Sequence, residues 1–410
     1  MLKKGLLVLT VVALLASMTL LGNANDKKSS GDDQDVKIGG HLKMYLFDST
    51  GGTSTCSGVD YDNTDKWGFG FGGHTFILFI SKNISENLSV EIAPDYSLGS
   101  AGATLSLGKK LGQQRKSTSS TTTNPNSGGV TNLKLNQEFV KYNLPEYKLE
   151  LRAGYMSCMF TEEYGKETWW HEEMNAPKAV LYLGGWHDSG VEAYRNFEFG
   201  GVSMPAYLYL LNGSGGTAYT DNNSNKTIMF HVAPEFSGKL SGLKGSASYG
   251  FGAWGDQDYA ASYGTTTTIN PPAVAASLKN AKYYRYALGG SYDYQKFTVR
   301  AEWMGANWEN KFNYGTPSEA DQGSWGYYAK FKYKIVPDKW TGMLNYSEYH
   351  TEKNAAVSEI YKTTTLGAQY EIAPAATVIF QLNMEDWKDD AAAQNAIDVN
   401  RMVIGVRVTF

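Results

Sequence analysis

The chain is short of several residue types, and each shortage narrows what it can be. Cys56 and Cys158 are the only cysteines among 410 residues, so at most one disulfide can form within the chain. No C-x-x-C-H occurs, so the chain carries no c-type haem of its own and no cofactor is expected. Proline is scarce, at 11 residues, and no linker of shifted composition divides the chain, so one large unit fits better than two or three soluble domains. Beyond the N-terminal segment no apolar run approaches the roughly 20 residues of a spanning helix. Basic charge is not in excess either: 37 Lys and Arg against 41 Asp and Glu leave a net charge of -4, which gives no support to nucleic-acid binding.

What the chain does have begins at its start. Lys3 and Lys4 precede an apolar run from Gly5 to Leu21, followed by Gly22-Asn23-Ala24, small residues where a signal peptidase needs them. Residues 1–24 are expected to be a cleaved secretory signal, because the run is short for a membrane anchor and a polar segment follows at once. Losing Lys3 and Lys4 takes the net charge from -4 to about -6. Residues 25–35 are polar and suit a flexible periplasmic leader, and residues 36–410 are the remaining unit.

That unit is built on period-two alternation. In the closing stretch, Met402, Ile404, Val406, Val408 and Phe410 share one side of a strand, and Val403, Gly405, Arg407 and Thr409 the other. One side is wholly apolar, as a strand facing lipid requires. The same alternation recurs from Val36 onward, giving about sixteen strands with eight long loops and seven short turns. The expected strands include Lys148 to Phe160, Trp340 to His350 and Ile360 to Ile372. Leu144-Pro145-Glu146, Ala233-Pro234-Glu235, Val336-Pro337-Asp338 and Ala373-Pro374-Ala375 each stop a strand, because proline has no N–H for the ladder. Tyr292, Tyr294, Trp325, Tyr333, Trp340, Tyr370 and Trp387 stand at strand ends, where membrane interfaces place aromatic girdles. The fold class is therefore all-β, a transmembrane antiparallel barrel with short periplasmic turns and long extracellular loops.

On this closing strand and this alternation the chain resembles the Gram-negative outer-membrane porins, sixteen-stranded and general or anion-selective. The resemblance covers most of residues 36–410 in architecture and rests on no short signature. It implies an outer-membrane location, contact with membrane lipids and lipopolysaccharide, passage of small ions and solutes, and a homotrimer. By position the third long loop, residues 161–187, matches the loop that folds into the pore in that family; the alternative is a surface lid that stays outside.

Lumen chemistry follows from parity. Counting from the lipid side puts Lys37, Lys43, Arg152, Arg285, Arg300, Lys330, Lys332, Arg401 and Arg407 on the inner wall, against fewer acids. Lys37 and Lys43 on the first strand should join Arg401 and Arg407 on the last across the closure. These charges either line a wide channel in water or pair with Glu on adjacent strands. The third loop carries Glu162, Glu163, Glu167, Glu172 and Glu173, so an acidic loop opposite a basic wall would set up a transverse field. The expected function is passive diffusion of small hydrophilic solutes, favouring small anions or inorganic oxyanions. The alternative is a structural barrel sheath around a multihaem cytochrome in an electron-transfer complex.

Other patterns carry less. Gly68 to Gly73 satisfies G-x-G-x-x-G, but no βαβ unit follows. His187-Asp188-Ser189 holds the residue types of a hydrolase triad without its geometry, and no catalytic residues are assigned. Asp60, Asp62 and Asp65 lack the glycine and terminal glutamate of a calcium loop, and Asn175 stands where H-E-x-x-H needs its second histidine, so no metal site is expected. Cys56 and Cys158 are a candidate disulfide, since export would permit one. Mass spectrometry of the exported protein should give an N-terminus at Asn25; a mature chain that retains Lys3 and Lys4 would remove the signal reading.

Overall fold

The computed structural model describes residues 36–51, 54–56, 59–61, 70–95, 134–165, 176–213, 226–254, 281–308, 322–354, 357–389 and 397–409. The expected signal and leader, the terminal Phe410, and Glu167, Glu172 and Glu173 of the third loop lie outside these residues.

Within the described residues a single antiparallel sheet runs through the chain in order. Its first half comprises β1 (Val36–Gly51), β2 (Gly70–Asn83), β3 (Leu88–Asp95), β4 (Lys134–Leu144), β5 (Leu149–Ser157), β6 (His187–Phe199), β7 (Val202–Leu211) and β8. Two segments, Thr227–Val232 and Glu235–Phe236, make up β8, and both sit between β7 and β9. The second half comprises β9 (Leu243–Trp254), β10 (Ala281–Tyr294), β11 (Phe297–Trp308), β12 (Gln322–Val336), β13 (Trp340–Asn354), β14 (Val357–Ala373), β15 (Ala376–Asp389) and β16 (Ile397–Thr409). Each strand pairs with its sequence neighbours, and the ladder returns to its start. β1 pairs with β2 from Val36↔Lys82 to Phe47↔Gly70 and with β16 from His41↔Thr409 to Gly51↔Val399. A small hairpin, Ser54–Cys56 against Val59–Tyr61, stands apart from this sheet.

Alternation decides which side chain meets which medium. Ile38, Leu288, Leu344, Leu366 and Phe380 point outward and are exposed, Ile38 at 65% and Leu288 at 61%. Lys330, Asn345, Thr365, Gln381 and Asn383, on the other parity, are buried inside. An exposed apolar exterior with a polar interior inverts the soluble arrangement and suits a hydrocarbon surround. Aromatic rings gather on the outer face near the short turns, with Trp340 and Tyr370 centred 4.7 Å apart and Phe297 and Tyr333 4.9 Å apart. At the long-loop end Trp325 stacks on His350 at 3.9 Å. No described helix is long and apolar enough to cross a membrane.

The short turns use backbone conformations that their residues tolerate. Gly200 and Gly201 both have positive φ, 57° and 89°, as a two-residue hairpin requires. At Gly242 a side chain is impossible, since a Cβ would lie 2.1 Å from the Asp293 carbonyl oxygen.

Several expected boundaries move. Ala233 and Pro234 interrupt β8 without ending it, since Glu235 and Phe236 rejoin both neighbours; the missing proline N–H costs a rung, not the stave. The polar residues between His350 and Ile360 largely extend the ladder, with Glu352↔Ser358 and Asn354↔Val357 paired, because backbone pairing does not need apolar side chains in water. β5 stops at Ser157, so Cys158, Met159 and Phe160 belong to the loop that follows. Cys158 carries a free, fully buried thiol, and the disulfide with Cys56 is not formed. It packs in the main apolar cluster of the barrel interior. Burial, reinforced by the Asp188 and Glu192 carboxylates, pushes this thiol well above the usual cysteine range, which makes it a poor nucleophile.

Leu366 lies mid-stave on the outer face. Leu366→Arg should destabilise the barrel in lipid vesicles by roughly 2–4 kcal/mol, measured by denaturant titration, whereas Leu366→Val should be close to neutral. Equal behaviour of the two variants would count against a lipid-facing position.

Candidate functional site

The third long connection, between β5 and β6, enters the barrel. Its two limbs are pinned together where the Cys158 N–H donates to the Trp186 carbonyl at 2.8 Å. The Met159 N–H donates to the Tyr209 hydroxyl at 3.0 Å, and the Ser248 hydroxyl donates to the Phe160 carbonyl, so β7 and β9 each hold the first limb. Phe160, Val180, Leu183 and Trp186 of the loop then pack on inward side chains such as Met229, Met304 and Tyr328, forming the main apolar cluster of the protein. Glycine makes room for this approach: a Cβ on Gly326 would lie 2.7 Å from the Ala179 Cβ. The barrel wall thus has an apolar patch facing inward, and the loop covers it.

A polar anchor lies beside the patch. The loop makes a short helix, Glu162–Gly165, whose first N–H groups have no partner within it. Glu302, in the middle of β11, accepts from the Glu162 N–H at 2.8 Å and from the Glu163 N–H at 3.4 Å. Its carboxylate also accepts from the Tyr328 hydroxyl at 2.7 Å and the Ser246 hydroxyl at 3.2 Å. A wall carboxylate therefore caps a helix that arrives from a different part of the chain. In return Glu163 sends its own carboxylate to the wall, where Arg300 Nη1 meets it at 2.8 Å and Lys330 Nζ closes on the other oxygen. Glu163 is 0% exposed and Lys330 2%.

These contacts revise the expected electrostatics. Glu162 and Glu163 are both buried, and the Glu163 charge is neutralised where it stands by two of the basic residues assigned to the lumen. Opposite charges in direct contact cancel within a few ångströms, so Glu163 and one of its two partners add little to a transverse field. Arg285 is also engaged by the loop, with its guanidinium 4.8 Å from the Trp186 ring centre. Arg152 lies beside Glu150 at 2.7 Å and Glu192 at 3.4 Å. Lys332 follows Lys330 on the same face of β12. Lys43 on β1 is the direct partner of Arg407 on β16 across the closure, while Lys37 lies beyond the last pair, His41↔Thr409. Arg407 donates to the Thr377 hydroxyl at 2.7 Å, and Arg401 lies 3.6 Å from Glu385.

Interior space remains on the other side of the loop. A cavity of about 100 Å³ separates loop residues Lys178 and Leu181 from a wall of Asn345, Ser347, Thr363, Thr365, Asn383, Glu385 and Arg401 on β13 to β16. Four of these wall residues form one cross-strand row, Asn345↔Thr365↔Asn383↔Arg401, that continues the row Arg300↔Lys330↔Asn345. The loop thus covers an apolar face of the interior, and a small polar cavity remains between it and β13 to β16.

Sequence reasoning missed two of these residues. Glu302 was an inward acid among others, and nothing local marks it as the cap of a helix some 140 positions away in sequence. Lys178 lies in the third loop beyond its acidic residues, and no local pattern singles it out. Among the described residues no cluster of His, Cys, Asp and Glu could hold a metal ion.

No protein-family model matches the chain, and no curated protein matches it in sequence. Solved structures do match its fold. An anion-selective porin from Comamonas acidovorans has a TM-score of 0.54 at 13% identity, over 92% of this chain and 100% of that one. The outer membrane channel DcaP of Acinetobacter baumannii has 0.55 at 11% identity, over 94% and 99%. A trimer form of OmpT, an outer membrane protein of Vibrio cholerae, has 0.51 at 12% identity, over 92% and 100%. The fold is that of a Gram-negative outer-membrane porin.

Glu163→Ala leaves Arg300 and Lys330 buried around an emptied carboxylate position. It should cost about 3–5 kcal/mol, read as a lower unfolding midpoint of the detergent-solubilised barrel. An unchanged midpoint would show that this anchor does not hold the loop.

Proposed function

We propose that the protein is an outer-membrane channel through which small hydrophilic solutes diffuse passively, with no chemical step. The observation that carries this reading is a ladder that closes on itself, with an apolar exterior around a polar, charge-bearing interior. Water in such an interior removes the cost of carrying an ion through hydrocarbon. In this reading residues 161–187 are the constriction, and the long loops face outward with lipopolysaccharide and lipids around the wall. A secretory signal at residues 1–24 delivers the chain to the periplasm for insertion. Association as a homotrimer suits the fold.

The preference is for anions. Around the polar cavity Lys178 and Arg401 stand against one carboxylate, Glu385, and Arg407 shares the Arg401 side of β16. Arg300 and Lys330 contribute less than parity alone suggests, because Glu163 offsets one of their two charges. The loop packed across the interior counts against a sheath enclosing a cytochrome, since such a partner would need the space that Phe160, Leu183 and Trp186 fill.

Planar-bilayer recordings under a KCl gradient should give stable steps with a reversal potential favouring chloride. Arg401→Gln with Arg407→Gln should shift that potential toward potassium. Clear cation preference in the unmodified channel would remove the anion reading, and a barrel that carries no ionic current would remove the channel reading itself.

A further inference from the structure

The inner face of β4 to β7 carries a second group of side chains, away from the Glu163 anchor. Lys141 on β4, Glu150 and Arg152 on β5, and Tyr194 and Tyr207 on β6 and β7 share the inner parity, since Val140, Val191 and Leu208 on the other parity are exposed outside. They lie in two cross-strand rows, Lys141↔Arg152↔Glu192↔Tyr209 and Glu150↔Tyr194↔Tyr207↔His231. The first row ends where the Tyr209 hydroxyl holds the loop, so the second lies one pleat nearer the short turns. Unlike the wall beside Lys178, these side chains keep surface on the lumen: 33% for Lys141 and 30% for Arg152, with Tyr194 and Tyr207 half-buried.

The polar members are paired with one another. Arg152 brings Nε to 2.8 Å and Nη2 to 2.7 Å from one Glu150 oxygen, and its guanidinium lies 5.2 Å from the Phe139 ring centre. Lys141 Nζ is 3.4 Å from the other Glu150 oxygen, and Glu192 is 3.4 Å from Arg152 on its far side. Charges offset in this way pull weakly on a free ion, yet they leave donor N–H groups and acceptor lone pairs side by side. A hydroxyl both donates and accepts, so neighbouring hydroxyls on one carbon skeleton match such a pair.

Beside the ion pairs stand two rings. The Tyr194 and Tyr207 centres are 4.8 Å apart, and His231 backs Tyr207 at 5.6 Å. His231 is fully buried and bonded to the Ser248 hydroxyl at 2.7 Å, and Tyr207 also packs on the edge of the main apolar cluster, so the platform is held from behind. Rings and ion pairs fall within two strand spacings, about 10 Å. A closed sugar ring has hydroxyls at its edge and C–H groups on its faces, which suits a polar group next to an aromatic one.

We infer that this face of the lumen is a weak binding site for a cyclic sugar, with Tyr194 and Tyr207 packing on the ring and Lys141, Glu150 and Arg152 meeting its hydroxyls. The inference rests on the channel reading above for its role in passage. Single hydrogen bonds and partial ring contact hold a solute loosely enough to let it leave.

Methyl α-glucoside, a closed ring, and sorbitol, an open chain of similar size and hydroxyl content, separate the two components. In saturation-transfer NMR titrations of the full detergent-solubilised barrel, the glucoside should half-saturate at a concentration at least about fivefold below sorbitol, a factor equivalent to ~1 kcal/mol. Tyr207→Ser and Tyr194→Ser should each bring the glucoside toward sorbitol, whereas Tyr207→Phe, which keeps the ring and the fold, should preserve the difference. Glu150→Gln should weaken both probes. Equal binding of the two probes by the unmodified barrel would overturn the inference, as would an unchanged preference in both serine variants. A conducting barrel that binds neither probe would overturn it and leave the channel reading standing, whereas a barrel that binds the glucoside but carries no ionic current would sink the channel reading and leave the site.

Discussion

Closure of the hydrogen-bond ladder is the constraint on which the rest of this structure depends. A strand in hydrocarbon cannot leave its N–H and C=O groups unpaired, since each unsatisfied group costs several kcal/mol. β1 and β16 meet that requirement for each other over the register from His41↔Thr409 to Gly51↔Val399. With no edge left, every side chain of every stave has a fixed choice between lipid and lumen, and the period-two pattern becomes a map of the two surfaces. The closure also brings Lys43 opposite Arg407, although the two are separated by nearly the whole chain.

Once the wall is closed, the interior has to be occupied or hydrated. Here it is both. Met229, Met304 and Tyr328 give one side of the lumen an apolar face, which water would solvate poorly, and the loop carrying Phe160, Leu183 and Trp186 covers it. Hydrophobic packing is not directional, so it does not by itself decide where the loop tip stops. Direction comes from the exchange of carboxylates, with Glu302 capping the loop helix and Glu163 returning to Arg300 and Lys330. Such a buried ionic anchor is worth little as net stability and much as a specification of position. On the polar side a small cavity remains between Lys178 and β13 to β16.

The reading of individual residues shows where sequence pattern reaches its limit. Lys330 on β12 was placed inward by parity, and it is inward; its parity also puts Phe331 and Ile335 on the exposed outer face. Parity says nothing of what a side chain meets there. Lys330 is buried against Glu163, 167 positions earlier, and no local signal records that contact. Cys158 failed for a related reason: alternation continued the strand through Phe160, whereas the backbone turned inward at Ser157 to follow the buried loop. Polar residues beyond His350 failed in the opposite direction, since a pattern tuned to apolar alternation cannot see a ladder that continues into water.

The sequence alone determined the class of fold, the approximate number of staves and most of the proline-marked turns. All of these follow from local rules: the pleat alternates every two residues, proline lacks an N–H, and lipid tolerates only apolar surface. Only the tertiary structure decided which charges remain available. Whether Arg300 acts on a passing ion or on Glu163 depends on where a loop from another part of the chain comes to rest, and long-range contact of that kind leaves no trace in spacing or composition.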